Sequence, residues 1–176
     1  MWKKLYTKVL LRHSRLTVVE DDVELPNGRQ IKYLRFVNSG DAAMVICIKD
    51  NSLLVQREYS YPAAKDLYQF PGGHIEAGES PSQAATRELL EESNLNANSI
   101  TKLGEFYTNN RRSNATMHVF IVQKATPDKS TPDAEEFIES IWLPITEFNT
   151  LIASGDITNS TMLAAWALYQ NRDKNK

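Results

Sequence analysis

Alternating apolar and polar positions predict strands over the first forty residues of the chain. Between Val9 and Gly40, β-branched and alternating segments lie on both sides of Pro26-Asn27-Gly28, which is a strong turn signal. We therefore predict a three-stranded unit. A unit of this size buries too little apolar surface to fold alone, so it must pack on the rest of the chain or on a second chain.

Beyond residue 40, the pattern predicts a mixed sheet covered by helices. The apolar run from Ala43 to Tyr59 is interrupted at Asp50-Asn51-Ser52, which predicts a hairpin. Further strands are predicted at Met117–Ala125 and Phe137–Pro144, a polar loop at Thr126–Glu136, and helices at Ile145–Ile157, ending near Gly155, and at Asn159–Lys174. This order of strands and helices is typical of an α/β domain.

A capped helix is predicted from Pro81 to Ser93. Ser80 is an N-cap residue, Pro81 fits the first helical position, and Gln83 completes a capping box. Asn94 ends the helix because asparagine tolerates the left-handed conformation that follows a helix C-terminus.

Three carboxylates share one face of this helix. At 100° per residue, Glu88, Glu91 and Glu92 fall within an arc of roughly 100°, one turn beyond the small residues Ala84 and Ala85. Like-charge pairs at this spacing cost about 0.2–0.5 kcal/mol each. A divalent cation would remove the conflict, and hard oxygen ligands favour Mg²⁺ or Mn²⁺. The alternative is an ordinary solvated acidic face.

Composition narrows the class of protein. The chain has 176 residues, 41% of them hydrophobic, with a formal net charge of −2. This balance indicates a globular protein and gives no support for a nucleic-acid or membrane partner. The only cysteine, Cys47, lies in an apolar run and is predicted to be a core residue, so we expect no disulfide framework. No signal peptide or membrane span is apparent, and a reducing cytoplasm is the expected compartment.

The acidic segment matches a known motif. From Gly73, the residues fit the Nudix box G-x5-E-x7-R-E-U-x-E-E-x-G-U, in which U is bulky and apolar; Asn94 replaces the second glycine, and the matching residues are Gly73, Glu79, Arg87, Glu88, Leu89, Glu91, Glu92 and Leu95. Outside the box, the chain resembles the ADP-ribose pyrophosphatase branch of the Nudix hydrolases in "VELPNGRQIKYLRFVNSGDAAMVI", "LVQREYSYP", "YQFPGGHIEAGESP" and "DAEEFIESIWLPITEFNTLIASGDI".

This resemblance implies a fold and an activity. The fold is a Nudix α/β/α sandwich, with a mixed sheet between helices. Residues 1–39 would form a small N-terminal β-sheet subdomain that builds a homodimer, and residues 40–176 the Nudix hydrolase domain. The activity is the Mg²⁺-dependent hydrolysis of the diphosphate linkage of a nucleoside diphosphate derivative. A nucleotide sugar such as ADP-ribose is the expected substrate, and a nucleoside monophosphate and a sugar phosphate are the products.

The resemblance also assigns roles within the box. Glu88 and Glu92 would be the main metal ligands, with Glu91 assisting and the carbonyl of Gly72 completing the shell. Structural roles fall to Gly73, Glu79 and Arg87, and Arg87 is expected to orient a glutamate through a salt bridge.

A general base is still required. In the ADP-ribose pyrophosphatase branch, a glutamate of a late mobile loop can serve, which makes Glu136 the first candidate and Glu135 the second. The alternative is that both acids are ordinary solvated loop residues, and Glu88 is the base in other branches of the family.

Two departures from that branch concern the substrate. Ser60 stands where the branch often has arginine, and "TNNRRS" (108–113) where it often has a proline-containing turn. Arg57, Tyr59, Arg111 and Arg112 are the candidate substrate-binding residues. Two alternatives stay open: a non-catalytic nucleotide-binding Nudix module, and a Nudix enzyme that acts on dinucleotides or nucleoside triphosphates.

Overall fold

The computed structural model describes residues 1–37, 40–128 and 138–172. Contacts within the chain divide it into two compact units. The first comprises Met1–Asp41 and Tyr107–Thr116, and the second comprises Ala42–Phe106 and Met117–Lys176. Residues 107–116 therefore join the N-terminal strands, although the sequence analysis placed them in the second domain.

The first unit is built on a three-stranded antiparallel sheet, as predicted. Its strands are β1 (Lys3–Arg12), β2 (Thr17–Glu24) and β3 (Gln30–Val37), with β2 in the centre. The β2–β3 turn contains Gly28 at φ +82°, a conformation that favours glycine. The segment 107–116 is bound to β3: the Phe36 amide donates to the Arg112 carbonyl at 2.6 Å, and the Tyr33 hydroxyl donates to the Arg111 carbonyl at 2.7 Å.

Alternate residues of β2 are buried, and one of them is charged. Asp21 lies between Val19 and Val23 on the buried face of the strand. It accepts hydrogen bonds from Thr7 Oγ1 at 2.6 Å and from Arg35 Nε at 2.5 Å. Burial disfavours the ionised form, but these two bonds outweigh it, so the pKa of Asp21 lies below its ordinary value.

Within the described residues, the second unit holds a seven-stranded mixed sheet and three helices. The strand order is β12-β5-β4-β10-β9, with β6 paired to β5 and β7 to β4; β4 and β10 are parallel, and β8 and β11 form a separate pair. The strands are β4 (Ala42–Lys49), β5 (Ser52–Ser60), β6 (Lys65–Gln69), β7 (Gly72–His74), β8 (Leu95–Ala97), β9 (Thr101–Tyr107), β10 (Thr116–Val122), β11 (Ala125–Pro127) and β12 (Glu139–Pro144), and the helices are α1 (Pro81–Ser93), α2 (Ile145–Ser154) and α3 (Ser160–Asn171).

Two apolar clusters lie on opposite faces of β4 and β5. Met44, Ile46, Leu53 and Val55 pack with residues of α2 and α3, whereas the alternate residues of the same strands pack with Ala84, Ala85 and Leu89 of α1. Because both faces of the sheet are covered here, the sequences of β4 and β5 contain continuous apolar runs and not an alternation of apolar and polar residues. The predicted sandwich, with a mixed sheet between helices, is therefore confirmed.

Cys47 belongs to the apolar cluster that packs against α1. Cys47 is buried, as predicted, and burial raises the pKa of its thiol to about 11. In the described parts of the chain, no helix is long and apolar enough to cross a lipid bilayer.

Most of the longer elements were predicted, with two corrections. Helix α1 has the predicted bounds, the hairpin turns at Asp50 and Asn51, and α2 ends at Gly155 in the left-handed conformation. The single strand predicted at Met117–Ala125 was wrong, because β10 ends at Val122 and β11 starts at Ala125 to pair with β8. The strand β12 starts at Glu139, two residues later than predicted.

Candidate active site

Helix α1 lies close to β4 and β7, and the loop after β7 leads into it. Ala84 and Ala85 are fully buried, and their small side chains permit this close approach. The helix start is fixed by the capping box: Ser80 Oγ accepts from the Gln83 amide, and Gln83 Oε1 accepts from the Ser80 amide at 2.9 Å. Asn94 ends the helix at φ 54°. The spacing of the acids along the helix is thereby set.

Arg87 joins the loop to the acidic face of the helix. Its Nε and NH2 groups donate to the two oxygens of Glu79 at 3.0 and 3.1 Å, and NH2 also donates to the His74 carbonyl at 3.0 Å. NH1 donates to Glu88 Oε1 at 2.8 Å and to Glu91 Oε2 at 3.0 Å. One guanidinium therefore contacts three carboxylates.

These contacts shift two ionisation equilibria. Hydrogen bonds from Arg87, and one from the Glu76 amide at 3.1 Å, lower the pKa of Glu79. The hydrogen bond to Glu79, supported by those to Glu88 and Glu91, raises the pKa of Arg87 above its ordinary value. The arginine is thus charged at any pH at which the protein is folded.

Glu92 is held separately, by groups from three strands. Its Oε2 accepts hydrogen bonds from the Gly72 amide of β7 and from Gln56 Nε2 of β5, both at 2.9 Å. Its backbone carbonyl accepts a hydrogen bond from Ser140 Oγ of β12 at 3.2 Å. Glu92 is therefore anchored to the sheet, whereas the side chain of Glu91 is half exposed.

The two glycines of β7 are each needed for a different close approach. A Cβ on Gly72 would lie 2.7 Å from Met44 Cα, in the backbone of β4. A Cβ on Gly73 would lie 2.7 Å from Glu88 Cδ. The first glycine lets two strands pair, and the second leaves room for a carboxylate.

The donor set suits a hard divalent cation. Arg87 contacts Glu79, Glu88 and Glu91, and Glu92 follows on the same helix, so these five side chains carry a formal charge of −3. Carboxylate oxygens are the ligands that Mg²⁺ and Mn²⁺ prefer. Among the described residues, however, no three acidic, histidine or cysteine side chains already converge closely enough to hold a metal ion. The shared Arg87 NH1 is the observed counter-charge between Glu88 and Glu91.

The candidate substrate-binding residues lie in both units. In the second, Arg57 and Tyr59 stand two residues apart on β5, hence on one side of the strand; Arg57 pairs with Asp66 at 2.9 Å, and Tyr59 is exposed. In the first, Arg112 donates from NH1 to the Leu34 carbonyl at 2.9 Å and lies over the Tyr33 ring. Arg111 is exposed. Their roles stay predictions.

The candidate bases Glu135 and Glu136 lie outside the described residues. Conversely, the structure adds residues that the sequence analysis did not single out. Gln56 and Ser140 both contact Glu92, and only Gln56 gave a sequence signal, as a polar residue that directly follows the apolar run Leu53–Val55.

Comparison with known proteins agrees with this fold. The sequence profile of the NUDIX domain matches residues 38–165. The chain belongs to the Nudix family, and it is a Nudix hydrolase; enzymes of this family generally use a divalent metal ion.

Relatives and a solved structure extend the match. The chain is 28% identical to the ADP-ribose pyrophosphatase of Bacillus subtilis over 139 residues, which cover 78% of this chain and 75% of that protein. It is 29% identical to the ADP compounds hydrolase NudE of Escherichia coli over 159 residues, covering 89% and 86%. A crystal structure of an ADP compounds hydrolase superposes with a TM-score of 0.89 at 26% identity, over 99% of this chain and 95% of the other.

Proposed function

We propose that this protein is an Mg²⁺-dependent pyrophosphatase that hydrolyses the diphosphate linkage of a nucleotide sugar such as ADP-ribose. The products would be a nucleoside monophosphate and a sugar phosphate. The observation that carries the proposal is the set of carboxylates held at defined positions by Arg87, Gly72 and the caps of α1. The names of the two relatives, which both refer to ADP compounds, support the substrate class.

The residues of the site divide into ligands and supports. Glu88, Glu91 and Glu92 would hold the cation, with the carbonyl of Gly72 as a further donor. The bound cation would offset the charge of the diphosphate and lower the pKa of a water molecule. Arg87 keeps the β7–α1 loop on the helix through its bonds to the His74 carbonyl and to Glu79. Chemistry of this kind depends mainly on positioning and charge neutralisation.

Substrate recognition is assigned to cationic and aromatic side chains. Arg57 and Tyr59 are exposed on one side of β5, which suits contact with a phosphate and a ring. Arg111 and Arg112 offer two further guanidinium groups in the 107–116 segment. Replacing any of these four residues by alanine should raise KM with little change in melting temperature.

A substrate screen tests the activity. Purified protein with Mg²⁺ is incubated with ADP-ribose, other nucleotide sugars, NADH, dinucleoside polyphosphates and nucleoside triphosphates, and the products are identified by chromatography. We expect turnover of a nucleotide sugar that stops when EDTA is added. Preferred turnover of triphosphates or dinucleotides would favour another Nudix activity, and tight binding without hydrolysis would favour a non-catalytic module.

Matched variants test the metal site. Glu92→Gln should remove metal-dependent turnover while the protein stays folded. Glu76→Gln, the same change at an exposed acid in the same segment, should keep it. Equal activity of the two variants would contradict the assignment of Glu92.

The general base is tested at Glu135 and Glu136. We propose Glu136, then Glu135, and expect Glu136→Gln to lower kcat by roughly 10²-fold or more. If Glu88 is the base instead, Glu136→Gln would leave turnover nearly intact.

We also propose that the first unit builds a homodimer. Strand β1 and the residue before it expose several large apolar side chains, and monomeric proteins rarely expose large apolar patches. The exposed residues are Trp2, Leu5, Tyr6, Val9, Leu10 and Leu11. Light scattering after gel filtration should give twice the chain mass of 20.0 kDa, and Leu10→Lys should reduce the dimer fraction.

A further inference from the structure

An amide side chain is buried in β5 where the strand is otherwise apolar. Leu53, Leu54 and Val55 precede Gln56, and all four side chains are buried. Because side chains alternate along a strand, Gln56 shares its face with Leu54, and Leu54 packs in the cluster under α1. An apolar residue would suit this position better, so the amide needs another explanation.

The orientation of the amide is fixed by charge. Gln56 Nε2 lies 2.9 Å from Glu92 Oε2. An ionised carboxylate only accepts hydrogen bonds, so the reverse orientation would set two acceptors against each other. In the observed orientation, Gln56 Oε1 is buried and has no hydrogen-bond partner in the described part of the chain. An unsatisfied buried acceptor destabilises a fold.

Glu92 Oε2 receives two donors, and they come from different strands. The Gly72 amide of β7 and Gln56 Nε2 of β5 both bind it at 2.9 Å. Two donors on one oxygen restrict rotation of the carboxylate about its last bond. The backbone of Glu92 is fixed as well, by Ser140 of β12, which is the register partner of Gln56.

We propose that Gln56 is a positioning residue, which holds the carboxylate of Glu92 in the orientation that binds the divalent cation. The inference rests on the proposed metal site. Hydrogen bonds to a ligand group fix its geometry, and their loss typically weakens metal affinity about 10–100-fold. The buried amide is then present for the site and not for the stability of the fold.

The test separates metal affinity from folding. Mn²⁺ binding is titrated by electron paramagnetic resonance on the full chain without nucleotide, and thermal unfolding is followed in EDTA. For Gln56→Leu, we expect the Kd for Mn²⁺ to rise about tenfold or more and kcat to fall, with a Tm within about 3 °C of the wild type. Gln56→Met, which is unbranched like glutamine, replaces it if the leucine variant does not fold.

A matched control perturbs packing alone. Leu54→Val creates a small cavity two residues away on the same face of β5. It should lower Tm and leave the Kd for Mn²⁺ unchanged. A raised Kd with an unchanged Tm in Gln56→Leu, and the reverse in Leu54→Val, would show that Gln56 affects metal binding through the orientation of Glu92 and not through packing.

Two outcomes of the Mn²⁺ titration would refute different proposals. If Gln56→Leu binds Mn²⁺ like the wild type while Glu92→Gln does not bind it, the role of Gln56 is refuted and the metal site stands. If the wild type binds no Mn²⁺, the proposed metal site itself is refuted, together with this inference.

Discussion

Replacing Gly73 by alanine should damage the site and spare the fold. The added Cβ would lie 2.7 Å from Glu88 Cδ and 2.9 Å from Oε2, whereas carbon atoms in contact are normally about 3.5–4.0 Å apart. The carboxylate must therefore withdraw by roughly 1 Å. It then loses its hydrogen bond to Arg87 NH1, which is 2.8 Å long in the structure.

The size of the effect follows from that bond. A hydrogen bond between charged groups contributes about 1.5–3 kcal/mol. If the displaced Glu88 weakens binding of the transition state by the same amount, kcat/KM falls about 10- to 150-fold. The fold tolerates the change because the clash is with the end of a flexible side chain and Gly73 does not have a positive φ. An alanine also lowers the entropy of the unfolded chain, which stabilises by about 0.4–1 kcal/mol.

Gly72→Ala is the matched comparison. Its Cβ would meet the backbone of β4, with Met44 Cα at 2.7 Å, and the pairing of Met44 with Gly72 prevents either strand from moving away. We expect this variant to lose about 3 kcal/mol of stability, or to misfold.

Both variants are measured by urea unfolding and by steady-state hydrolysis of the best substrate. The expected pattern is a stable, impaired Gly73→Ala and an unstable Gly72→Ala. Wild-type kcat/KM in Gly73→Ala would refute the reasoning about Glu88, and equal instability of the two variants would refute the reasoning about the contacts.

Three further predictions concern stability. Because the pKa of Asp21 is lowered in the folded state, the stabilisation by its ionised form is complete above about pH 4 and is lost as the pH falls through the folded-state pKa. The difference in unfolding free energy between wild type and Asp21→Asn should therefore shrink from pH 6 to pH 3. A constant difference would contradict this. Asn94 is in the left-handed conformation, so Asn94→Ala should lose about 1 kcal/mol in urea unfolding while Asn94→Gly is at least as stable as wild type. Ser80→Ala should lose about 1 kcal/mol by the same assay through the capping box, and an unchanged midpoint would show that the cap contributes nothing.

The elements that were predicted are those with local signals. Helix α1 carries its own caps in Ser80, Gln83 and Asn94, and each makes the expected contact or conformation. The β4–β5 turn has two residues with positive φ, Asp50 and Asn51, both of which tolerate that conformation. Such features depend on a few neighbouring residues, so the sequence alone contains them.

The short strands depend on distant partners instead. Strand β7 contains two glycines in three residues and has no strand propensity of its own; it exists because β4 offers it a partner. The strands β8 and β11 are each three residues long, and within the part of the chain that the structure describes they form a two-stranded sheet of their own. The gap between β10 and β11 consists of Gln123 and Lys124, and two polar residues do not by themselves indicate that a strand ends.

The site was predictable to a similar degree. The spacing of Glu88, Glu91 and Glu92 on one helix face could be predicted from the sequence. The ion pairs of Arg87 show how the first two are held. The contact of Gln56 with Glu92 joins residues 36 positions apart, and no local pattern encodes it. The functional roles of all these residues stay predictions.

The parallel pairing of β4 with β10 has a consequence for how the chain folds. Ala42 pairs beside Met117, and the connection between them contains Gln56, Gly72 and the whole of α1. Closing a loop of this length costs roughly 4 kcal/mol of free energy through lost chain entropy, which the strand pairing must offset. Proteins rich in such distant contacts fold slowly. If α1 packs before or together with closure of the sheet, ions that screen its carboxylates should speed refolding.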